Sequence, residues 1–127
     1  MVKKRLTIGL LNHRLTDAYG HVLWRAIDDM AQAHDFNLMC FIGRTLYAPR
    51  GFEMQSNVIY QLAKSPILDG LIISGGVAAN FVSSKTAEAF YKQYRPVPIV
   101  SMAVPIPNIP SVLIDNSTGL REAIRHL

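Results

Sequence analysis

The distribution of apolar residues constrains this chain most: short, near-continuous hydrophobic runs alternate with segments of helical period. Residues 6–12, 38–43 and 68–74 are runs of the kind that strands covered on both faces require. Between the first two, Tyr19, Val22, Leu23, Ala26, Ile27, Met30 and Ala31 recur at helical spacing, which predicts an amphipathic helix capped by Thr16 or Asp17. Residues 44–53 contain Pro49 and Gly51 without a period and read as a long loop. A second helix is expected over about 55–64, with Val58, Ile59, Leu62 and Ala63 on one side and Pro66 as its stop. A third, over about 83–94, turns Ala87, Phe90, Tyr91 and Tyr94 inward. Pro96 and Pro98 frame a fourth strand, Ile99–Met102. Residues 105–110 carry three prolines, which excludes helix or central strand and leaves an extended connection. A short strand over 112–114 follows, then a helix with Leu120, Ala123, Ile124 and Leu127 on one stripe and no stop signal.

Strand–helix alternation with right-handed crossovers gives an α/β three-layer sandwich: a parallel five-stranded sheet with order 2-1-3-4-5, a flavodoxin-like arrangement. At 127 residues and 50% hydrophobic content the chain is one domain with a real core, so disorder is excluded. No apolar stretch approaches the roughly 20 residues that span a bilayer, and the basic start has no apolar segment of the signal-peptide type, so the expectation is a cytoplasmic protein without membrane partners. The net charge of +4 hints at nucleic acid, but three of the 13 basic residues are Lys3, Lys4 and Arg5, leaving ten against nine acidic groups. That is a terminal cluster without a basic stripe, and no direct nucleic-acid binding is expected. Cys40, the single cysteine, has apolar neighbours on both sides and reads as a core thiol.

In such a sheet ligands bind beyond the carboxyl ends of the strands, near the switch between the first and third. That edge collects Asn12, His13, Arg14, Asp17 and Tyr19, then Arg44 and Thr45, then Ser74-Gly75-Gly76, then Ser101 and Met102, and finally Asp115-Asn116. Polar groups beside an aromatic face suit a small polar ligand. Enzymatic patterns fit poorly. The first turn lacks G-x-G-x-x-G, there is no Walker sequence, and a receiver domain's acidic positions hold Asn12 and Ser74. The four histidines have no metal-ligand spacing, so neither metal nor cofactor is expected. A hydrolase using His13 and Ser74 is the enzymatic alternative, although no third orienting group or nucleophile elbow accompanies them. The Gly75-Gly76 pair reads either as an anion-binding amide nest or as a tight turn.

The phrases TIGLL, AYGHVLWRAIDDMAQAHDFNLMCF, LDGLIISGG, VPIVSMA and IPSVLIDNSTGLREAIRHL, in this order and spacing, resemble the amino-terminal lobe of LacI/GalR-type, periplasmic-binding-protein-like ligand-binding domains. The resemblance runs from Leu6 to the end. It implies a non-catalytic sensor of sugars or other polar molecules, in which two lobes close on the ligand. Residues 1–127 would then be one truncated lobe, with the carboxy lobe and output domain absent. The parent would be a transcriptional regulator, or a cytoplasmic signalling protein of the diguanylate cyclase or histidine kinase type, to whose sensor domains residues 44–53 and NVIYQL are similar. Carried over by position, the ligand contacts fall on Asn12, Asp17, Tyr19, Ser74 and Asp115. Arg44 is either a further contact or a solvated rim residue, and Asp115-Asn116 is either a contact or a turn and cap. The family's amino lobes also pair through the first helix. Trp24, off the apolar stripe, is either an anchor of that homodimer or a cover for the core edge. If it is the anchor, Trp24→Glu reduces self-association in sedimentation; an unchanged sedimentation coefficient excludes that role.

Overall fold

The structure, a computed structural model, describes residues 4–127. Five strands, β1 (Thr7–Asn12), β2 (Asn37–Ile42), β3 (Gly70–Ser74), β4 (Ile99–Met102) and β5 (Ser111–Val112), form one all-parallel sheet in the order β2-β1-β3-β4-β5. Alternate residues face opposite sides. Leu11, Phe41, Leu71, Ile73 and Ile99 enter the main core, while Ile8, Leu38, Ile72 and Val100 border a groove beside the first helix.

That helix, α1 (Ala18–Ala33), is capped by Asp17, whose carboxylate accepts the Gly20 N–H. Its expected stripe is only partly covered: Ala31 is buried and Leu23 and Ile27 are half-buried, but Tyr19, Val22 and Met30 are exposed. The reason is geometric. One helix about 10 Å across cannot cover five strands set about 4.8 Å apart, and a groove of about 590 Å³ remains between α1 and the Ile72–Val100 side of the sheet.

The opposite face is filled better. A short helix, α2 (Gly51–Ser56), starts inside the segment expected to be loop and runs into a 3-10 helix, Asn57–Lys64. This changes which side chains point inward. With three residues per turn, Asn57, Tyr60 and Ala63 share a face, so Tyr60 and Ala63 are buried while Val58 and Leu62, expected inside, are exposed. After α3 (Gly75–Ala78), helix α4 (Ser84–Lys92) begins at the Ser83 cap and buries Ala87 and Tyr91, with Tyr94 just beyond it and Phe90 edge-on to three tyrosines. Polar atoms in this core are paired. Ser101 Oγ gives its proton to the Val104 carbonyl at 2.6 Å, so the Tyr91 hydroxyl, 3.1 Å away, donates to Ser101. Tyr94 donates to the Tyr60 carbonyl at 3.1 Å.

Three further expectations change at the carboxyl end. Residues 105–110 are a tight turn, with Asn108 at φ 60 and Ile106 and Ile109 bridged and buried beneath the prolines. Strand β5 stops after two residues, leaving Leu113 and Ile114 exposed. The last helix, α5 (Asn116–Arg125), forms as expected, but its Leu120 and Ile124 face outward and the helix buries no residue. At the other end, Lys3 lies outside the described residues, while Lys4 and Arg5 are structural. Lys4 Nζ meets Asp69 at 2.9 Å and Arg5 Nε meets Asp35 at 3.0 Å. Asp69 also accepts the Thr7 N–H, and the Lys4 and Thr7 bonds together hold its carboxyl below the usual range. Cys40 is half-buried rather than enclosed, and desolvation raises its thiol pKa. Among the described residues no helix is long and apolar enough to cross a membrane.

The Tyr60 hydroxyl lies 3.2 Å from the Asn12 carbonyl oxygen and 2.9 Å from that of Arg44, donating between the ends of β1 and β2. Tyr60→Phe keeps the ring and removes this bond while the Asn12 carbonyl keeps the Gly43 N–H, so urea denaturation is expected to report a loss of about 1 kcal/mol, the usual net worth of one such bond.

Candidate functional site

Parallel register brings the strand ends level: Leu11 pairs with Ile73, which sets Asn12 beside Ser74, and Ser74 pairs with Met102. The floor of this edge is closed. Asn12, Ser74 and Ser101 are 1%, 4% and 0% exposed. Asn12 Oδ1 accepts the His13 N–H at 2.9 Å, fixing the start of the β1–α1 turn. Among the described residues, Asn12 Nδ2 and His13 Nδ1 are the buried side-chain polar atoms without a hydrogen-bond partner.

The His13 ring lies against the chain at Gly76, where a Cβ would collide with its Cε1 and Nδ1. Gly75 is required by a second approach, since a Cβ there would strike Val104 and the Met102 carbonyl. Neither glycine adopts a positive φ, and together they open α3, so close packing explains the pair without a tight turn. Desolvation, then the Arg14 and Arg44 guanidiniums, lower the His13 pKa from 6.5, with Asp17 opposing in part, so the imidazole is neutral at pH 7.

Arg44, half-buried, donates from Nη1 to the carbonyls of His13 at 3.4 Å and Gly43 at 3.2 Å. Its own N–H is held by Asn57 Oδ1 at 2.7 Å, and Asn57 Nδ2 donates to the Thr45 carbonyl at 3.3 Å. Thr45 Oγ1 then reaches the Gly76 carbonyl at 2.9 Å, which ties the β2 loop to the β3–α3 junction. Asn57 went unremarked in the sequence because an asparagine in a helical segment carries no pattern. His13 is placed at this edge by its position after the first strand, whereas its packing against Gly76 is visible only in the structure.

The six expected contact residues divide by role. Asn12 and Ser74 make the buried floor, and Tyr19 and Arg44 stand at the rim. Asp17 caps α1, with Oδ1 on the Gly20 N–H at 2.6 Å and Oδ2 3.9 Å from Arg14 Nε. Asp115 caps α5 through the Thr118 N–H at 3.0 Å, and its bonds to the Thr118 backbone and side chain lower its pKa. Of the two roles left open for Asp115, the structure shows the cap, and a cap through one carboxylate oxygen does not exclude a contact. No hydrogen bond joins His13 to Ser74 among the described residues, so the hydrolase pair has no geometric support. Trp24 is half-buried, with its ring 6.1 Å from His21 and its indole toward Cys40. Among the described residues, no group of three or more His, Cys, Asp or Glu side chains is placed to hold a metal ion.

Gly76→Ala forces the His13 ring off its seat and is expected to destabilise the fold by about 1–3 kcal/mol, as overpacking does. In the His13→Ala background the same change costs much less, so a double-mutant cycle by chemical denaturation that gives additive effects would refute the contact.

No family model and no curated protein sequence matches the chain. Solved structures do. The Lac repressor dimer bound to operator and the anti-inducer ONPF superposes with a TM-score of 0.74 at 20% identity, over 99% of this chain and 41% of that one. A periplasmic binding protein/LacI transcriptional regulator from Alkaliphilus metalliredigens, complexed with D-xylulofuranose, gives 0.68 at 21% identity, over 94% of this chain and 40% of that one. The transcription regulator CcpA of Lactococcus lactis gives 0.67 at 19% identity, over 97% and 43%. The chain thus spans about two fifths of the length of these proteins. The chain therefore shares the α/β fold of about two fifths of these LacI-type regulators and binding proteins.

Proposed function

We propose that this chain is the amino-terminal lobe of a non-catalytic sensor of small polar molecules, belonging to a transcriptional regulator or a cytoplasmic signalling protein. The observation that carries this reading is the union of the LacI-type fold with a polar strand edge at its switch point. Neighbours of that fold include proteins solved with an anti-inducer and with a furanose sugar. Tyr19 offers an aromatic face at the rim and Arg44 a cation, above the Asn12–Ser74 floor. A second lobe elsewhere in the parent protein supplies the other wall. Ligand then favours the closed arrangement of the lobes by its greater affinity for it, and this difference drives the output. The α1 surface around Trp24 is the proposed contact with a second copy, and the compartment proposed is the cytoplasm.

One wall provides only part of the burial and hydrogen bonding that a closed cleft provides. The 127-residue chain is therefore expected to bind a panel of neutral and acidic sugars weakly, with Kd above about 1 mM in NMR titrations, which corresponds to less than about 4 kcal/mol. The shifts should centre on the β1–α1 turn and Arg44. Micromolar binding by the isolated chain contradicts the half-site, and shifts confined to residues away from this edge contradict the sensing role.

A further inference from the structure

Away from the strand edge, the 3-10 helix Asn57–Lys64 and α4 leave a groove of about 420 Å³ between them, on the sheet face opposite α1. That is a usual size for a small-ligand site. On the α4 side it is lined by Thr86, Ala89, Phe90 and Gln93, whose spacing of three and four residues sets them on one helix face, with Ala89 too short to fill the gap. None of the residues gathered at the strand edge lines it, and the Leu46 N–H holds the intervening loop to the Val77 carbonyl at 2.8 Å. At the lip of the groove stands Tyr47. Its ring is 60% exposed, yet its backbone is held at φ 56, a left-handed conformation that a large aromatic residue adopts only at a cost. Burial of the ring does not repay that cost; a ligand lying against it would.

The lining sets the chemistry. It contains no acidic or basic side chain, so a charged ligand would lose water there without gaining a counter-charge. Tyr47, Tyr60 and Phe90 supply aromatic surface, which suits a flat ring. The Tyr60 hydroxyl is engaged with the Asn12 and Arg44 carbonyls, so its ring is what the groove receives. The remaining polar groups are mostly side-chain amides, those of Asn57, Gln61 and Gln93, each both donor and acceptor. Asn57 spends its oxygen on the Arg44 N–H and one amide proton on the Thr45 carbonyl, which leaves a second proton to give. Gln61 is exposed and makes no side-chain hydrogen bond among the described residues. Such amides pair through two bonds with a ring edge that presents a donor beside an acceptor, as adenine does to asparagine or glutamine. A polyol has no flat π-face to lay on Tyr47.

We propose that the groove between the 3-10 helix and α4 is a ligand site distinct from the strand edge, and that it takes a neutral planar heterocycle with an amide-like edge, a nucleobase or its nucleoside. The ring lies between Tyr47 and Phe90, and its edge meets the Gln61 and Asn57 amides. With no Lys or Arg in the lining to receive a phosphate, the free base or nucleoside is favoured over the nucleotide. The site stands apart from the sensing role of the strand edge and does not depend on it.

The test is an NMR titration of the 15N-labelled 127-residue chain with adenosine, uridine, their 5′-monophosphates and glucose, followed at the Tyr47 and Thr86 backbone amides and the Gln61 and Gln93 side-chain amides. At least one nucleoside is expected to give saturable shifts at these groups, with glucose binding tenfold or more weakly and the monophosphate no more tightly than its nucleoside. Two variants at exposed positions check the lining: Tyr47→Gly removes the ring while accepting φ 56, and Gln61→Leu removes the amide at similar size. Each is expected to weaken nucleoside binding fivefold or more with the rest of the spectrum unchanged. Glucose binding as tightly as both nucleosides overturns the planar ring. A monophosphate binding tenfold more tightly than its nucleoside overturns the neutral class. Full nucleoside affinity in both variants, shifts confined to His13 and Arg44 at the strand edge, or no shifts with either nucleoside overturns the site itself.

Discussion

The hydroxyl of Tyr60 is the bond on which the carboxyl end of the sheet depends. It joins the last carbonyl of β1 to the loop leaving β2, while its ring lies so close to Gly43 that no other residue fits there. The 3-10 winding of residues Asn57–Lys64 puts Tyr60 there, with Asn57 one turn earlier to hold Arg44. Burial raises the phenol's pKa far above its usual value, so it remains a donor at any physiological pH. Core and site are therefore one construction: the same short helix closes the hydrophobic interior and aims the rim arginine.

Much of this was legible from the chain alone, and the limits of legibility have physical causes. Strand ends were readable because a buried parallel strand tolerates few polar residues, so Asn12 and Ser74 announce where β1 and β3 stop. The sheet order followed from crossover handedness. The inward side of residues 55–64 was misjudged because a 3.6-residue period was assumed where the chain winds at three, and the two differ at Val58 and Leu62. Burial of Ile106 and Ile109 was hidden by the three prolines around them, which mark the absence of regular structure but not the direction of the side chains between them. The residues named by position do lie at the strand edge, but position does not reveal local bonding: Asp17 and Asp115 each cap a helix, which the spacing alone leaves open.

The contrast between structural and sequence similarity has a related origin. Residues that define this fold are small or apolar and interchangeable, provided the strands stay covered and the close approaches at Gly9, Gly43 and Gly76 stay open. Identities of 19–21% with good superposition are what such a permissive core allows. The rim residues are free of that constraint, and an arginine tied down by an asparagine thirteen positions away is a local solution for which the fold itself makes no demand.

The edge also differs in stiffness from one side to the other. Asn12 ends a six-residue strand paired along its length on both sides, whereas Asp115 follows a two-residue strand paired on one side only, with Leu113, Ile114 and all of α5 in solvent. Among the described residues, few bonds hold residues 113–115 and α5 to the sheet, whereas the Asn12–Arg44 side is tied from several directions. The two ends of the candidate site are thus held unequally, one braced by the sheet on both flanks and the other attached through a single short edge strand.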